Sequence, residues 1–277
     1  DDSNWVPPLI SEQLTRLDPA RGAFYSHAEV VLFLAYLGRE VVGSIAAFID
    51  HRRVAHFSRQ IGGFGFFETL PDYSIAEALL DAAIDWLWER NIAEMVGPTC
   101  FTDIEYPGIL IEGSDHPPVM MSAHSPPYYK DFLELYGLEK DREFFTWRAS
   151  PDQAKTVLQN LTATPTPAAN EVVPDARLQI RNIRPENWDT EIQIAHRLLN
   201  ESLKNSPEYV PISAEDFQQI MNQTRLLIDP GLIFYAELDG QPVGICFAIP
   251  DKNRLLAQLN GRLFPFGWLK VRRLARQ

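Results

Sequence analysis

At 277 residues, 45% hydrophobic and 22% charged, the chain is long enough for two ordinary domains, each with its own core. It holds no apolar run long enough to span a bilayer, and its net charge of −12 speaks against nucleic acid, whose binding rests on cations that displace phosphate counterions. The two cysteines, Cys100 and Cys246, stand far apart and read as reduced thiols of a cytosolic protein.

Asn4-Trp5-Val6-Pro7-Pro8 makes a stiff lead-in, and Ile10 to Leu17 a short amphipathic helix. Glu29 to Phe48 alternates as a hairpin turned at Gly38-Arg39-Glu40. Ile61 to Thr69 reads as a short buried strand, with Gly62, Gly63 and Gly65 where a backbone comes close to something. Pro71 and Asp72 end it. Ser74 and Glu77 have the spacing of a capping box, and Ala76, Leu79, Leu80, Ala83 and Leu87 then share one helical face. A strand that feeds a helix N-terminus is a ready anion site, because the first N–H groups of a helix lack partners. Here Glu68, Asp72 and Glu77 crowd that site. Two like charges about 6 Å apart repel by roughly 1 kcal/mol in water, so a diphosphate is poorly served.

Glu94 to Gly97 reads as another short strand, and Gly97 to Pro127 as a long structured loop rich in Gly, Pro and aromatic residues. Tyr128 to Tyr136 reads as a helix closed by Gly137, and Phe144 to Arg148 as a closing strand. Residues 151–175 pass from a helix-like stretch into a Pro-, Thr- and Ala-rich linker. Beyond it come a strand at Leu178 to Ile183, a helix at Trp188 to Leu203, another opened by Ser213, and a hairpin at Leu232 to Ile249. That hairpin repeats the first. At an offset of 201, Phe33, Ala35, Leu37, Val42, Gly43, Ala47 and Asp50 meet Phe234, Ala236, Leu238, Val243, Gly244, Ala248 and Asp251. Two copies of one fold are the reading; chance likeness between apolar hairpins is the alternative. The counterpart of Ile61 to Met95 then begins near Arg262 and is incomplete at Gln277.

The loop collects Cys100, Asp103, Glu105, Asp115, His116 and His124. His116 and His124 lack zinc-ligand spacing, so no metal is expected, and Cys100 with His124 lacks a third, orienting residue. A base for an amine needs only one carboxylate or imidazole in reach, and Glu105 and His124 are the candidates, with loop bracing as the alternative for each. The basic end, Phe266 to Gln277, is either a membrane-surface helix or one solvated helix of a domain.

The order of these elements resembles the GNAT acyltransferase fold and, more narrowly, bacterial proteins with two GNAT-like domains in tandem. The residues that carry the likeness are Asn4 to Pro8, Phe64-Gly65-Phe66-Phe67-Glu68, Gly97-Pro98, Pro117 to Met121, Pro126-Pro127-Tyr128-Tyr129, Val210-Pro211, and Pro250-Asp251 with Asn253. The resemblance implies an α/β protein of two tandem GNAT-like domains, each a mixed, mostly antiparallel sheet with flanking helices. One would cover 1–150, and the other, incomplete, 176–277. It implies an N-acyltransferase that moves acetyl from acetyl-CoA to a small-molecule amine; a catalytically inactive ligand- or partner-binding scaffold is the alternative. Aminoacyl transfer from charged tRNA is a third option, disfavoured by the acidity. Phe66 and Phe67 on the splayed strand, and Ser74, Ile75 and Ala76 at the helix start, would contact the cofactor. The loop from Leu70 to Ala76 lacks the family's glycines and Arg/Gln, which marks this CoA site as degenerate. In the position of the family's acid stands Leu133, and Tyr129, one turn earlier on the same face, would be the substitute acid with the cofactor displaced. Packing beneath the long loop is the other reading of Tyr128 and Tyr129.

Overall fold

Alternating apolar residues fold Ala28–Leu37 (β1) back on Glu40–Asp50 (β2) through a turn in which Gly38 takes φ +65°. The computed structural model describes residues 2–102, 107–163, 177–206, 209–225 and 228–262. Ile61–Thr69 (β3) pairs antiparallel with β2. It pairs parallel with Glu94–Val96 (β4) over Ile61 to Gly63 alone, completing a mixed sheet of order β1-β2-β3-β4. Beyond that short ladder the two strands have no further pairing.

β3 is buried on both faces, which explains its near-continuous apolar run. On one face Phe64 and Phe67 join Ile45, Ala47 and Ile49 under the helix Tyr73–Trp88 (α3), whose buried residues are the five of the expected stripe. Burying a Leu or Phe in this way contributes about 1.5–3 kcal/mol each. On the other face Phe66 packs against Phe24, Phe48 and Phe101. The close approaches signalled by the glycines are made by the protein itself. A Cβ on Gly63 would lie 2.1 Å from the Phe48 ring, and one on Gly65 1.6 Å from the Thr99 carbonyl oxygen.

The start of α3 differs from expectation. Asp72, not Ser74, is the cap: its Oδ1 accepts the Ser74 N–H at 3.0 Å and the Ser74 hydroxyl at 2.7 Å. Asp72 holds the extended backbone a cap requires (φ −137°, ψ 112°), so the helix begins before Ser74 is reached.

Ile10–Leu17 (α1) forms as expected, whereas His51–Phe57 (α2), capped by Asp50, has no counterpart in the sequence reading. Tyr128–Leu135 (α4) is followed by Gly137 at φ +101°. The closing strand expected at Phe144 to Arg148 is absent: the segment pairs with neither sheet, and Phe145 and Trp147 are 75% and 91% exposed. Apolar alternation makes a strand only where an edge is offered, and neither sheet extends to this segment. Pro151–Ala163 (α5) comes next; the remainder of the expected linker, residues 164–176, lies outside the described residues.

A second, antiparallel sheet of order β5-β6-β7 contains Leu178–Asn182 (β5), Ile233–Leu238 (β6) and Gln241–Phe247 (β7). Trp188–Leu203 (α6) and Ala214–Thr224 (α7), the latter capped by Ser213, close a core around Ile192, Phe217, Ile233 and Tyr235. Arg181 is enclosed there by Glu191 at 2.8 Å and Glu237 at 2.6 Å. The two hairpins share a backbone plan. Register shifts between Ala35 and Tyr36 in the first and between Ala236 and Glu237 in the second, and the pair Ala35↔Gly43 recurs as Ala236↔Gly244. After each hairpin an aspartate accepts a backbone N–H two residues on: Asp50 from Arg52, as the cap of α2, and Asp251 from Asn253, the first residue of Asn253–Leu259 (α8). The protein is thus a mixed α/β structure with one mixed and one antiparallel sheet. The basic end from 263 onward lies outside the described residues. Among those described, no helix is long and apolar enough to cross a membrane.

Candidate functional site

A bulge organises the end of β3. Ser44 pairs with Glu68 and Ala46 with Gly65, so Phe66 and Phe67 together oppose Ile45, and Phe66 adopts φ +47°. The Ser44 hydroxyl holds this bulge by donating to the Phe66 carbonyl at 3.1 Å. The extra residue sends the two phenylalanines to different environments. Phe67 is 5% exposed in the core, its ring 5.1 Å from that of Tyr129, while the Phe66 ring lies 4.8 Å from Phe101.

Beyond the bulge, Glu68 and Thr69 meet the two tyrosines that open α4. The Tyr129 hydroxyl accepts the Thr69 N–H at 3.0 Å and donates to Glu68 Oε2 at 2.8 Å, and the Tyr128 hydroxyl donates to the Thr69 carbonyl at 2.8 Å. Glu68 keeps an exposed edge, yet desolvation of its carboxyl raises its pKa, and the bond from Tyr129 only partly offsets this. Burial, and next the charge on Glu68, push the Tyr129 phenol far above its ordinary value, so it stays neutral. The pair is therefore a proton-accepting carboxylate aimed by a fixed phenol donor. The Tyr129 hydroxyl is thus committed on both sides, to Glu68 and to the Thr69 N–H.

The other expected site residues are placed as follows. Ala76 is fully buried in the core, and Ile75 packs against it. Ser74 directs both its N–H and its hydroxyl to Asp72, and the Ile75 N–H bonds the Asp72 carbonyl at 3.2 Å, so the helix start is closed on itself. His124 does not join Glu68. Its Nε2 lies 2.7 Å from Asp2 Oδ2, tying the long loop to the N-terminal segment, which also bonds Ser114 through Asn4. Glu105 and Asp103 lie outside the described residues. Among those described, no group of three or more His, Cys, Asp or Glu is placed to hold a metal ion.

A cavity of about 70 Å³ lies beside Gly62, Gly63 and Val96, at the paired ends of β3 and β4. Its walls come from both sheets' surroundings: Phe48, His27 and Thr99 from one, Tyr209 to Ile212 and Asp216 from the other. Neither Glu68 nor His27 stood out as a site residue in the sequence. Glu68 counted there as a charge that repels phosphate and as part of the family likeness, and the local cue that a strand ends in Glu is too common to single it out as a base.

No family model matches the chain. It is 30% identical over 272 residues to the bacterial ceramide synthase of Caulobacter vibrioides (strain NA1000 / CB15N), covering 98% of this chain and 69% of that protein. It is 30% identical over 273 residues to Protein YghO of Escherichia coli (strain K12), covering 98% of this chain and 67% of that one. These relatives correct the functional expectation: a GNAT N-acetyltransferase that moves acetyl from acetyl-CoA to a small amine is not retained. With identity at this level along nearly its whole length, the chain belongs to the family that contains the bacterial ceramide synthase and YghO.

Proposed function

We propose that this protein carries out a ceramide synthase-like reaction, joining an activated acyl group to the nitrogen of a long-chain amine. The observation that carries this reading is the 30% identity to a bacterial ceramide synthase over 98% of the chain. Amide formation of this kind needs a group that removes a proton from the amine as nitrogen attacks the acyl carbon. Glu68 fits that task. It presents an exposed edge, its raised pKa makes it a stronger base than an ordinary carboxylate, and Tyr129 holds one of its oxygens. In this mechanism the proton passes from nitrogen to Glu68, the C–N bond forms, and the carrier departs with the electron pair of the broken acyl bond. Tyr129 is then a positioning residue. As a matter of architecture, the shared register of the two hairpins and the like aspartate–amide bond after each support two copies of one GNAT-like unit, near 1–150 and 176–277.

The test is an amide-forming assay with a sphingoid base and long-chain acyl thioesters, the product read by mass spectrometry. Glu68→Gln is expected to lower kcat by about 10²–10⁴-fold with the circular dichroism unchanged. Wild-type turnover in that variant would remove Glu68 from the mechanism, and the absence of any ceramide from the wild-type protein would sink the reaction itself.

A further inference from the structure

His27 stands between the two sheets with a carboxylate at each ring nitrogen. Nδ1 lies 3.0 Å from Asp50 Oδ1, at the end of β2, and Nε2 lies 2.7 Å from Asp216 Oδ2, on α7. An ionised carboxylate only accepts hydrogen bonds, so contact on both sides requires both nitrogens to carry protons, and the ring is an imidazolium. All three side chains are largely covered, at 14%, 16% and 7% exposure. The remaining surroundings fix the carboxylates. The Arg52 backbone N–H donates to Asp50 Oδ1 at 2.9 Å, its guanidinium lies 4.0 Å from Asp216 Oδ2 and donates to the Pro211 carbonyl at 2.8 Å, and the Ser213 hydroxyl donates to Asp216. Arg53 adds a backbone bond to Asp50, Tyr209 feels the Arg52 charge, and the Phe24 ring closes one side of His27, edge-on at 5.1 Å. His27, Asp50, Arg52 and Asp216 all line the cavity between the sheets.

We propose that the His27 imidazolium, shared by Asp50 and Asp216, is a latch that holds α7 against the end of β2 and closes this cavity, and that it releases when the ring loses a proton. A neutral imidazole donates from one nitrogen only, so one carboxylate is left facing a lone pair in a covered site. Burial alone would lower the pKa of His27, but the hydrogen bonds and charges of Asp216 and Asp50 outweigh it and raise it to about 9. The stabilisation is therefore complete below the unfolded value near 6.5 and is lost as pH rises through about 9.

Hydrogen exchange of the Phe24–His27 and Tyr209–Asp216 segments, corrected for intrinsic rates from pH 7 to 10, tests this on the intact chain. Protection is expected to fall with a midpoint near pH 9, and nitrogen-15 spectra at pH 7.5 are expected to show both His27 nitrogens protonated. Asp216→Asn keeps a polar group in place but removes the charge, and the midpoint should move toward 6.5. His27→Gln should lose the transition altogether. A neutral His27 at pH 7.5, a flat protection profile, or an unmoved midpoint in Asp216→Asn would each overturn the latch. Should His27→Gln fail to fold, the wild-type titration and Asp216→Asn decide the matter.

Discussion

Replacing Tyr129 with Phe removes one oxygen from a core position that is 3% exposed and severs two bonds at once. The Thr69 N–H, in a residue 7% exposed, loses its acceptor. Leaving such a donor unpaired costs about 1–3 kcal/mol. At roughly 2–4 °C per kcal/mol for a chain of this size, the melting temperature should fall by roughly 2–12 °C. Tyr128→Phe is the internal control. It removes one donor from the Thr69 carbonyl, but Tyr128 is only half-buried, so the expected cost is smaller, about 0.5–1.5 kcal/mol. A second effect separates the two variants. The Tyr129 hydroxyl is what holds the pKa of Glu68 down against desolvation, so Tyr129→Phe should shift the acid limb of the pH–rate profile to higher pH, because Glu68 must be ionised to accept a proton. Thermal melts and pH profiles of wild-type, Tyr128→Phe and Tyr129→Phe proteins make the comparison. Equal destabilisation in both variants, together with superimposable acid limbs, would refute the reasoning about this site.

Four further substitutions and one triple change address the fold around the site. Asp72→Ala should destabilise by about 1 kcal/mol in urea unfolding and Ser74→Ala by clearly less, since Asp72 caps α3 and Ser74 only leans on it; the reverse order would restore Ser74 as the cap. Gly65→Ala places a methyl 1.6 Å from the Thr99 carbonyl oxygen and must displace the chain after β4, at about 3 kcal/mol, so an unchanged urea midpoint would mean that contact does not exist in solution. Arg181→Met leaves Glu191 and Glu237, 2% and 14% exposed, without their shared cation and should destabilise by about 3–5 kcal/mol, with part of the loss recovered in the triple change to Met, Gln and Gln.

Features written in local spacing were legible before any coordinates. The apolar stripe of α3, the extents of α1 and α6, and the cap at Ser213 depend on residues within a turn of one another. The likeness of the two hairpins was legible too, because the same alanine and glycine recur at the same point of both ladders beside the same register shift. Misreadings arose where two local patterns competed or where a partner was needed. Ser74-x-x-Glu77 and Asp72 both offer a cap, and backbone geometry chose the earlier one. Phe144 to Arg148 has a strand's alternation but no neighbouring edge, so its aromatic residues stay exposed.

By itself the sequence determined which segments bury which face, because periods of two and 3.6 residues map directly onto strand and helix surfaces. Only the tertiary structure decided which distant side chains meet. Glu68 meets Tyr129 across 61 positions, and His27 meets Asp216 across 189. Neither pairing leaves a trace in local spacing: protonation and desolvation are properties of the surroundings a side chain reaches only once the sheets and helices have packed.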